Sequence, residues 1–266
     1  MHPIERLRYV ARAGDEGPSL LVREAAGALA SFSRDPAALV TACRRLVDRQ
    51  PSAAPIWWLA ARVLGSTEPG SEAWAAAEEI EADTTPQQLS ELLPHDASVL
   101  VLGWPEIVSV ALARRGDIEA FVVDSFDHGS GLVRRLDRLG NNSVLVDERG
   151  TGAAAAAADI VLIEAHGYGG EALTAVPGSR AAAAVARSVG AQVWAIVGVG
   201  RVLPGRLWDA YVQRLDDESD PWDGDLELVP HDLVTSVVTP SGRCTPTEAL
   251  QRADCPIAPE LLKPLD

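Results

Sequence analysis

Five short and almost unbroken apolar runs between residues 98 and 198 constrain this chain more than any other feature. They are Ser98-Val99-Leu100-Val101-Leu102-Gly103, Ala120-Phe121-Val122-Val123-Asp124, Ser143-Val144-Leu145-Val146-Asp147, Ile160-Val161-Leu162-Ile163-Glu164-Ala165 and Val193-Trp194-Ala195-Ile196-Val197-Gly198. Each has the length of a strand and no alternation of polar residues, as expected of strands buried on both faces of a parallel sheet. Helical segments lie between them, over 105–115, 131–139, 151–157 and 179–190. Strand and helix in this rhythm predict βαβ units with right-handed crossovers. A further strand is expected over 233–238, after an acidic loop at 216–225.

The residues before this series carry a different period. Ile4, Leu7 and Val10 recur at helical spacing, and the Gly14 to Pro18 stretch interrupts them. Asp35-Pro36 is a helix start, with the aspartate as cap and the proline in the first turn. Leu39, Val40, Cys43, Leu46 and Val47 follow on one face, and Ile56-Trp57-Trp58-Leu59 opens a strongly apolar helix. The expected architecture is therefore α/β: a helical N-terminal domain over 1–90, then a wound parallel sheet of Rossmann-like form over 91–266.

Composition excludes several function classes. No apolar run is long enough for a membrane span, and the charged N-terminal stretch lacks a signal core, so a cytoplasmic protein is expected. A formal charge of −15 argues against nucleic acid as the partner. Cys43, Cys244 and Cys255 are too scattered for a disulfide framework and read as small buried residues. Lys263 is the only lysine, which leaves Schiff-base chemistry without a residue in the body of the chain. The five histidines lack metal-ligand spacing, and neither a metal nor a cofactor is expected.

Ligands of open α/β sheets sit beyond the carboxyl ends of the strands. That rule nominates Gly103-Trp104-Pro105-Glu106, the Asp124-Ser125-Phe126-Asp127-His128 cluster, Asp147-Glu148-Arg149, Glu164 through Ser179, and Gly198-Val199-Gly200-Arg201. Asp124 is either an acid–base group or the cap of the next helix. His166-Gly167-Tyr168-Gly169-Gly170 is either a close-approach loop for a phosphate or a plain turn; it matches no standard nucleotide loop. Arg201 either meets an anion or forms a surface salt bridge, and Ser179 either presents helix amides to an anion or caps the helix.

Two segments carry a family resemblance. Ala158-Asp159-Ile160-Val161-Leu162-Ile163-Glu164-Ala165-His166-Gly167, continuing to Pro177-Gly178-Ser179, resembles A-D-L-V-I-V-G-A-D/E-G followed by N-K-I-G-T. The stretch from Val229 to Gly242, with Pro246, is similar to a closing P-x-x-L-I-T-x-x-x-T-x-x-G-x-x-x-P pattern. The chain thus resembles the initiation factor 2B alpha, beta and delta subunits, a family that includes methylthioribose-1-phosphate and ribose-1,5-bisphosphate isomerases. The resemblance implies the ribose-5-phosphate isomerase and coenzyme A transferase class of fold, a small phosphorylated metabolite or a protein partner as ligand, and a homo-oligomer, most simply a dimer.

The isomerases' catalytic cysteine falls on Gly103, their aspartate on His166, their N-K pair on Ala175-Val176, and their later glutamate and lysine on Gly198 and Arg201. The implied function is a regulatory binding protein without the isomerase catalytic pair. The alternative is a sugar-phosphate isomerase-like enzyme with His166 and Asp124 as acid–base residues and Gly103, Trp104, Glu164, Gly167, Ser179 and Arg201 around the ligand. A translation factor acting as a nucleotide-exchange scaffold is a third reading.

Overall fold

The structure is a computed structural model that describes residues 18–216, 220 and 222–263. The helical repeat of Ile4, Leu7 and Val10 lies outside the described residues. Four helices come first: α1 (Pro18–Ala30), α2 (Pro36–Arg49), α3 (Ala54–Gly65) and α4 (Pro69–Glu81). As expected, Asp35 caps α2, its carboxylate accepting from the Ala38 amide at 3.0 Å, with Pro36 in the first turn. Helix α3 is buried almost all round, from Ala54 through Ala61, so it runs through the centre of this body. Its two indoles spend their N–H groups on Pro51 O and on Asp254 Oδ1, each at 3.1 Å.

After α5 (Thr85–Leu92) the wound domain begins. Its elements are β1 (Ser98–Leu102), α6 (Glu106–Leu112), β2 (Glu119–Val123), α7 (Gly129–Arg138), β3 (Asn142–Val146), α8 (Thr151–Ala157) and β4 (Ile160–Glu164). There follow β5 (Gly167–Gly169), β6 (Ala172–Ala175), α9 (Ser179–Val189), β7 (Gln192–Ile196), α10 (Gly205–Asp216), β8 (Glu227–Pro230), β9 (Ser236–Thr239), β10 (Gly242–Cys244) and α11 (Pro246–Gln251). The five predicted apolar runs are β1, β2, β3, β4 and β7, each within a residue or two of its expected bounds. The strand expected at 233–238 starts later, because His231–Leu233 forms a short 3-10 turn before β9.

The main sheet has seven strands in the order β10-β9-β7-β4-β1-β2-β3. All neighbours are parallel except β10, which returns antiparallel to β9. From β1 the chain builds outward through β2 and β3, then crosses back to place β4 on the other side of β1. The direction of winding therefore reverses between β1 and β4, and the crevice at such a reversal is where this architecture holds ligands.

A second sheet, β5-β6-β8, is antiparallel throughout. It replaces the loop or turn expected at 166–170, and its glycines answer to packing. A Cβ on Gly169 would lie 2.6 Å from the Trp208 ring and 2.7 Å from Leu203 O, and one on Gly167 would lie 3.0 Å from Tyr211. Trp208 and Tyr211 belong to α10, so the glycines let a helix lie directly on the strand.

The cores do not divide at residue 90. Leu203, Leu207, Trp208 and Tyr211, together with Cys255, Ala258 and Leu261 from the chain's far end, pack into the core of helices α1–α4. Conversely, Leu89 and Leu93 join the core of the sheet. The helical body is built from three separated stretches of sequence.

Replacing Gly169 with alanine is expected to cost about 1–3 kcal/mol by overpacking against α10. The urea unfolding midpoint checks this; an unchanged midpoint would mean that α10 does not press on β5 as described.

Candidate functional site

A cavity of about 940 Å³ opens over the β1/β4 reversal. Its floor is the ends of these strands and the loops that follow them. Leu21, Gln50, Ser52, Ala53 and Pro55 of the helical body line it from the other side. The site therefore lies between the two halves of the fold, in a size range suited to a small-molecule ligand.

At its centre Arg201, only 5% exposed, meets Glu164 at the end of β4, Nη2 to Oε1 at 3.0 Å. The other carboxylate oxygen, Oε2, accepts from the Val108 amide at 3.1 Å, in the first turn of α6. The remaining terminal nitrogen of Arg201, Nη1, donates to Ala165 O. Charge-assisted hydrogen bonds in a buried setting are the strong ones, and both partners here have most of their valence engaged. Arg201 is thus an interior tie and not the surface salt bridge that its sequence context allows.

Two further carboxyls approach the same arginine. Asp83, at the end of α4, accepts from the Val199 amide at 3.0 Å and from the Thr85 amide at 2.8 Å, which ties the helical body to the loop after β7. Glu106, the first residue of α6, lines the cavity. Burial raises its pKa, Arg201 opposes that rise, and the neighbouring Glu164 adds to it. The Asp83 carboxylate adds to the rise more weakly.

His166 follows β4, its amide donating to Thr174 O at 2.8 Å. Its ring reaches the solvent of the cavity, yet the protein packed around it, and Arg201 after that, lower its pKa to about 4. The imidazole is accordingly neutral at pH 7. Gly103, at the end of β1, has φ +65 and donates its amide to Val123 O at 3.0 Å. A residue with a side chain is strained in that conformation, which explains the glycine.

Not every nominated residue reaches the cavity. Gly103, Trp104, Glu164, His166, Ser179 and Arg201 line it, whereas Asp124 and Gly167 do not. Asp124 accepts from the Ser130 amide at 2.9 Å, so it holds the start of α7, and the acid–base role expected for it has no support from its position. Gly167 sits within β5, paired with Thr174, and its backbone serves the small sheet instead of a phosphate. Ser179 lies at the first position of α9, where the cap is Gly178 at φ +93. The Arg180 amide in that turn donates to Glu227 Oε1 at 2.7 Å, so a carboxylate of the chain already occupies part of that helix terminus.

Sequence reasoning nominated His128, within the 124–128 cluster, but missed the helix that continues the same wall. Helix α7 and the residue before it bring His128, Gly131, Arg134 and Arg135 to the cavity. Their spacing of three and four places them on one helical face, a signal that was present in the sequence. Neither arginine side chain has a hydrogen-bond or ion-pair partner among the described residues. Between β2 and α7, Phe126 and Asp127 adopt φ of +53 and +61, costing on the order of 1 kcal/mol or more each. The Phe126 amide donates to Glu148 Oε1 at 3.2 Å, which holds this turn in place. All three cysteines lie away from the cavity, buried as expected of small apolar residues, and no lysine lines it.

With strand order, winding reversal and site in hand, comparison with solved structures is decisive for the fold. Translation initiation factor eIF-2B of Pyrococcus horikoshii OT3 superposes with a TM-score of 0.78, at 15% identity, over 94% of this chain and 98% of that one. The chain has the initiation factor 2B fold. The tetrameric eIF2B beta2-delta2 complex of Chaetomium thermophilum gives a TM-score of 0.74 at 17% identity, covering 94% of this chain and 92% of that one. The 5-methylthioribose 1-phosphate isomerase of Pyrococcus horikoshii OT3 shares this fold, with a TM-score of 0.66 at 14% identity over 94% and 86% of the two chains. No protein-family model matches the chain, and no curated protein matches it in sequence. The initiation factor 2B fold accounts for the helical body, the wound sheet and the position of the cleft between them.

Two measurements test the centre of the site. Arg201→Met strands the buried Glu164 carboxylate and is expected to cost about 3–5 kcal/mol, with partial recovery in the double variant carrying Glu164→Gln. Urea unfolding of the two variants checks this. His166 has a folded-state pKa of about 4 against a reference of 6.5, so the unfolded chain binds more protons between those values. As pH falls from 6.5 to 4, the wild type should lose stability relative to His166→Gln; a difference that stays flat over that window would contradict a neutral His166.

Proposed function

We propose that this chain is a non-isomerase protein of the initiation factor 2B fold that binds a small phosphorylated metabolite in the interdomain cavity, in a regulatory role. One observation carries the reading: the cavity offers an unpaired arginine pair, Arg134 and Arg135, beside His128, yet contains neither a thiol nor a lysine. Anion binding needs fixed positive groups with donors to spare, and guanidinium groups match phosphate geometry. The proton transfer that the resemblance assigns to a cysteine and an aspartate has only Gly103 and His166 at the corresponding positions. Oligomerisation is part of this proposal, and the tetrameric complex among the solved structures supports it. A cytoplasmic location belongs to the same reading.

A second reading rests on His166. A neutral imidazole that faces the cavity, held near the Glu164–Arg201 pair, has a free nitrogen lone pair at pH 7, although its lowered pKa makes it a weak base, and it is the group on which an isomerase-like enzyme with altered acid–base chemistry would rely. On that reading His166→Ala abolishes turnover and leaves the fold intact.

The deciding experiment pairs a thermal-shift screen of phosphorylated sugars with turnover assays on methylthioribose-1-phosphate and ribose-1,5-bisphosphate. Binding at about 100 times Kd stabilises the folded state by about 2.7 kcal/mol, enough to read as a raised melting temperature. The first reading predicts such a shift, its loss on joint replacement of Arg134 and Arg135 by glutamine, and no turnover. Clear turnover of either sugar phosphate overturns it in favour of the second.

A further inference from the structure

From the packing of the small sheet we propose that His231 is a pH-operated latch. As a neutral ring it lies flat on Tyr168 and holds β8 against β6; once protonated it leaves that seat and loosens both β8 and the loop that carries Arg201. The latch belongs to the protein beside the cavity and does not depend on which ligand the cavity takes.

Strand β8 ends by pairing Pro230 with Ala172 of β6. His231 comes next, opening the 3-10 turn, and its amide donates to Glu171 O at 2.9 Å. Its ring stacks on Tyr168, with centroids 4.3 Å apart and planes at 17°. The ring's Nε2 is enclosed and has no hydrogen-bond partner among the described residues. A bare nitrogen tolerates such a place. An N–H there lacks an acceptor, and a charged donor left unsatisfied in a buried site is costly. A cation is attracted to a tyrosine face, but in a flat stack the N–H points along the ring planes, so that face does not supply the missing acceptor.

Tyr168 carries the effect of the latch to the site. It is fully buried, and its hydroxyl donates to Pro246 O at 3.1 Å. Its amide donates to Arg201 O at 2.7 Å and its carbonyl accepts from the Leu203 amide at 2.9 Å. One side chain thus seats the His231 ring while its backbone grips the loop whose arginine holds Glu164.

The charged surroundings do not remove the asymmetry. Burial lowers the His231 pKa below its ordinary 6.5, and the Ala172 backbone and the Glu171 carboxylate oppose that shift without cancelling it. Asp232 in the same turn is exposed, as are Arg180 and Arg187 on α9, the helix packed on that turn. Tyr168 faces the ring from β5, with Cys244 beyond it; burial raises both pKa values, so neither is charged at pH 7. The freed ring takes up a proton more readily than the seated one. The latch is therefore closed above pH 6.5 and weakens as pH falls below that value.

Native-state hydrogen exchange on the full chain tests this at about pH 7.5 and about pH 5.5, with rates corrected for the intrinsic effect of pH. Protection of the β6 and β8 amides and of the Leu203 amide is expected to fall by up to about ten-fold at the lower pH, the limit set one unit below the ordinary imidazole value. Amides of β1 and β2, away from His231, should change less. His231→Phe keeps a flat ring on Tyr168 without a titrating nitrogen and should abolish the response. His166→Gln should retain it, which separates the latch from the other buried histidine. Unchanged protection in the wild type, or the same fall in His231→Phe, overturns the latch. If His231→Phe does not fold, His231→Gln takes its place, and a response that persists there overturns the proposal equally.

Discussion

The buried contact between Arg201 and Glu164 is the point on which the rest of the structure is hung. Through it the end of β4, the first turn of α6 and the loop after β7 are fixed relative to one another. Asp83 extends the arrangement into the helical body by bonding the Val199 amide. A pair of this kind is a weak source of net stability, because the desolvation of both charges offsets their attraction. What it supplies is position. Hydrophobic contact alone would allow the helical body to slide over the strand ends; directional bonds to a charge do not.

The cavity follows from that registration. Winding reversal between β1 and β4 leaves a crevice in the sheet, and the helical body, held off by the polar cluster, roofs it without filling it. The inner end is polar but internally satisfied, while the outer end is formed by α7 and the turn before it. That turn is strained at Phe126 and Asp127, and strain of this sort persists only where the surroundings impose it.

What could be read from the sequence divides along the range of the interactions involved. The strands, the cap at Asp35 and the position of the cleft depend on local periodicity and on a topological rule, and all were legible. The fold class was legible too, since two segments carried a recognisable pattern. The small sheet was not: Gly167 and Gly169 have no side chains to show a period of two, and their reason for being glycine is α10, some forty residues away. Asp124 was ambiguous because the same carboxylate serves a helix cap or a catalytic pair, and only the Ser130 contact separates the two. Arg134 and Arg135 were overlooked although their spacing from His128 and Gly131 was available, because charged residues on a helix usually face water. The roof residues Gln50, Ser52 and Pro55 left no trace, since nothing local marks a residue that will face a distant strand end.

The helical body draws its core from α1–α4, from α10 and from the segment around Leu261, so its last pieces lie some two hundred residues after its first. Such contacts span long stretches of chain and raise the contact order of the fold, which slows folding. During synthesis, the early helices emerge with Trp57 and neighbouring apolar groups lacking their final partners, while the sheet can assemble from segments close in sequence. The core of the helical body is therefore complete only once α10 and the segment around Leu261 have packed onto the early helices.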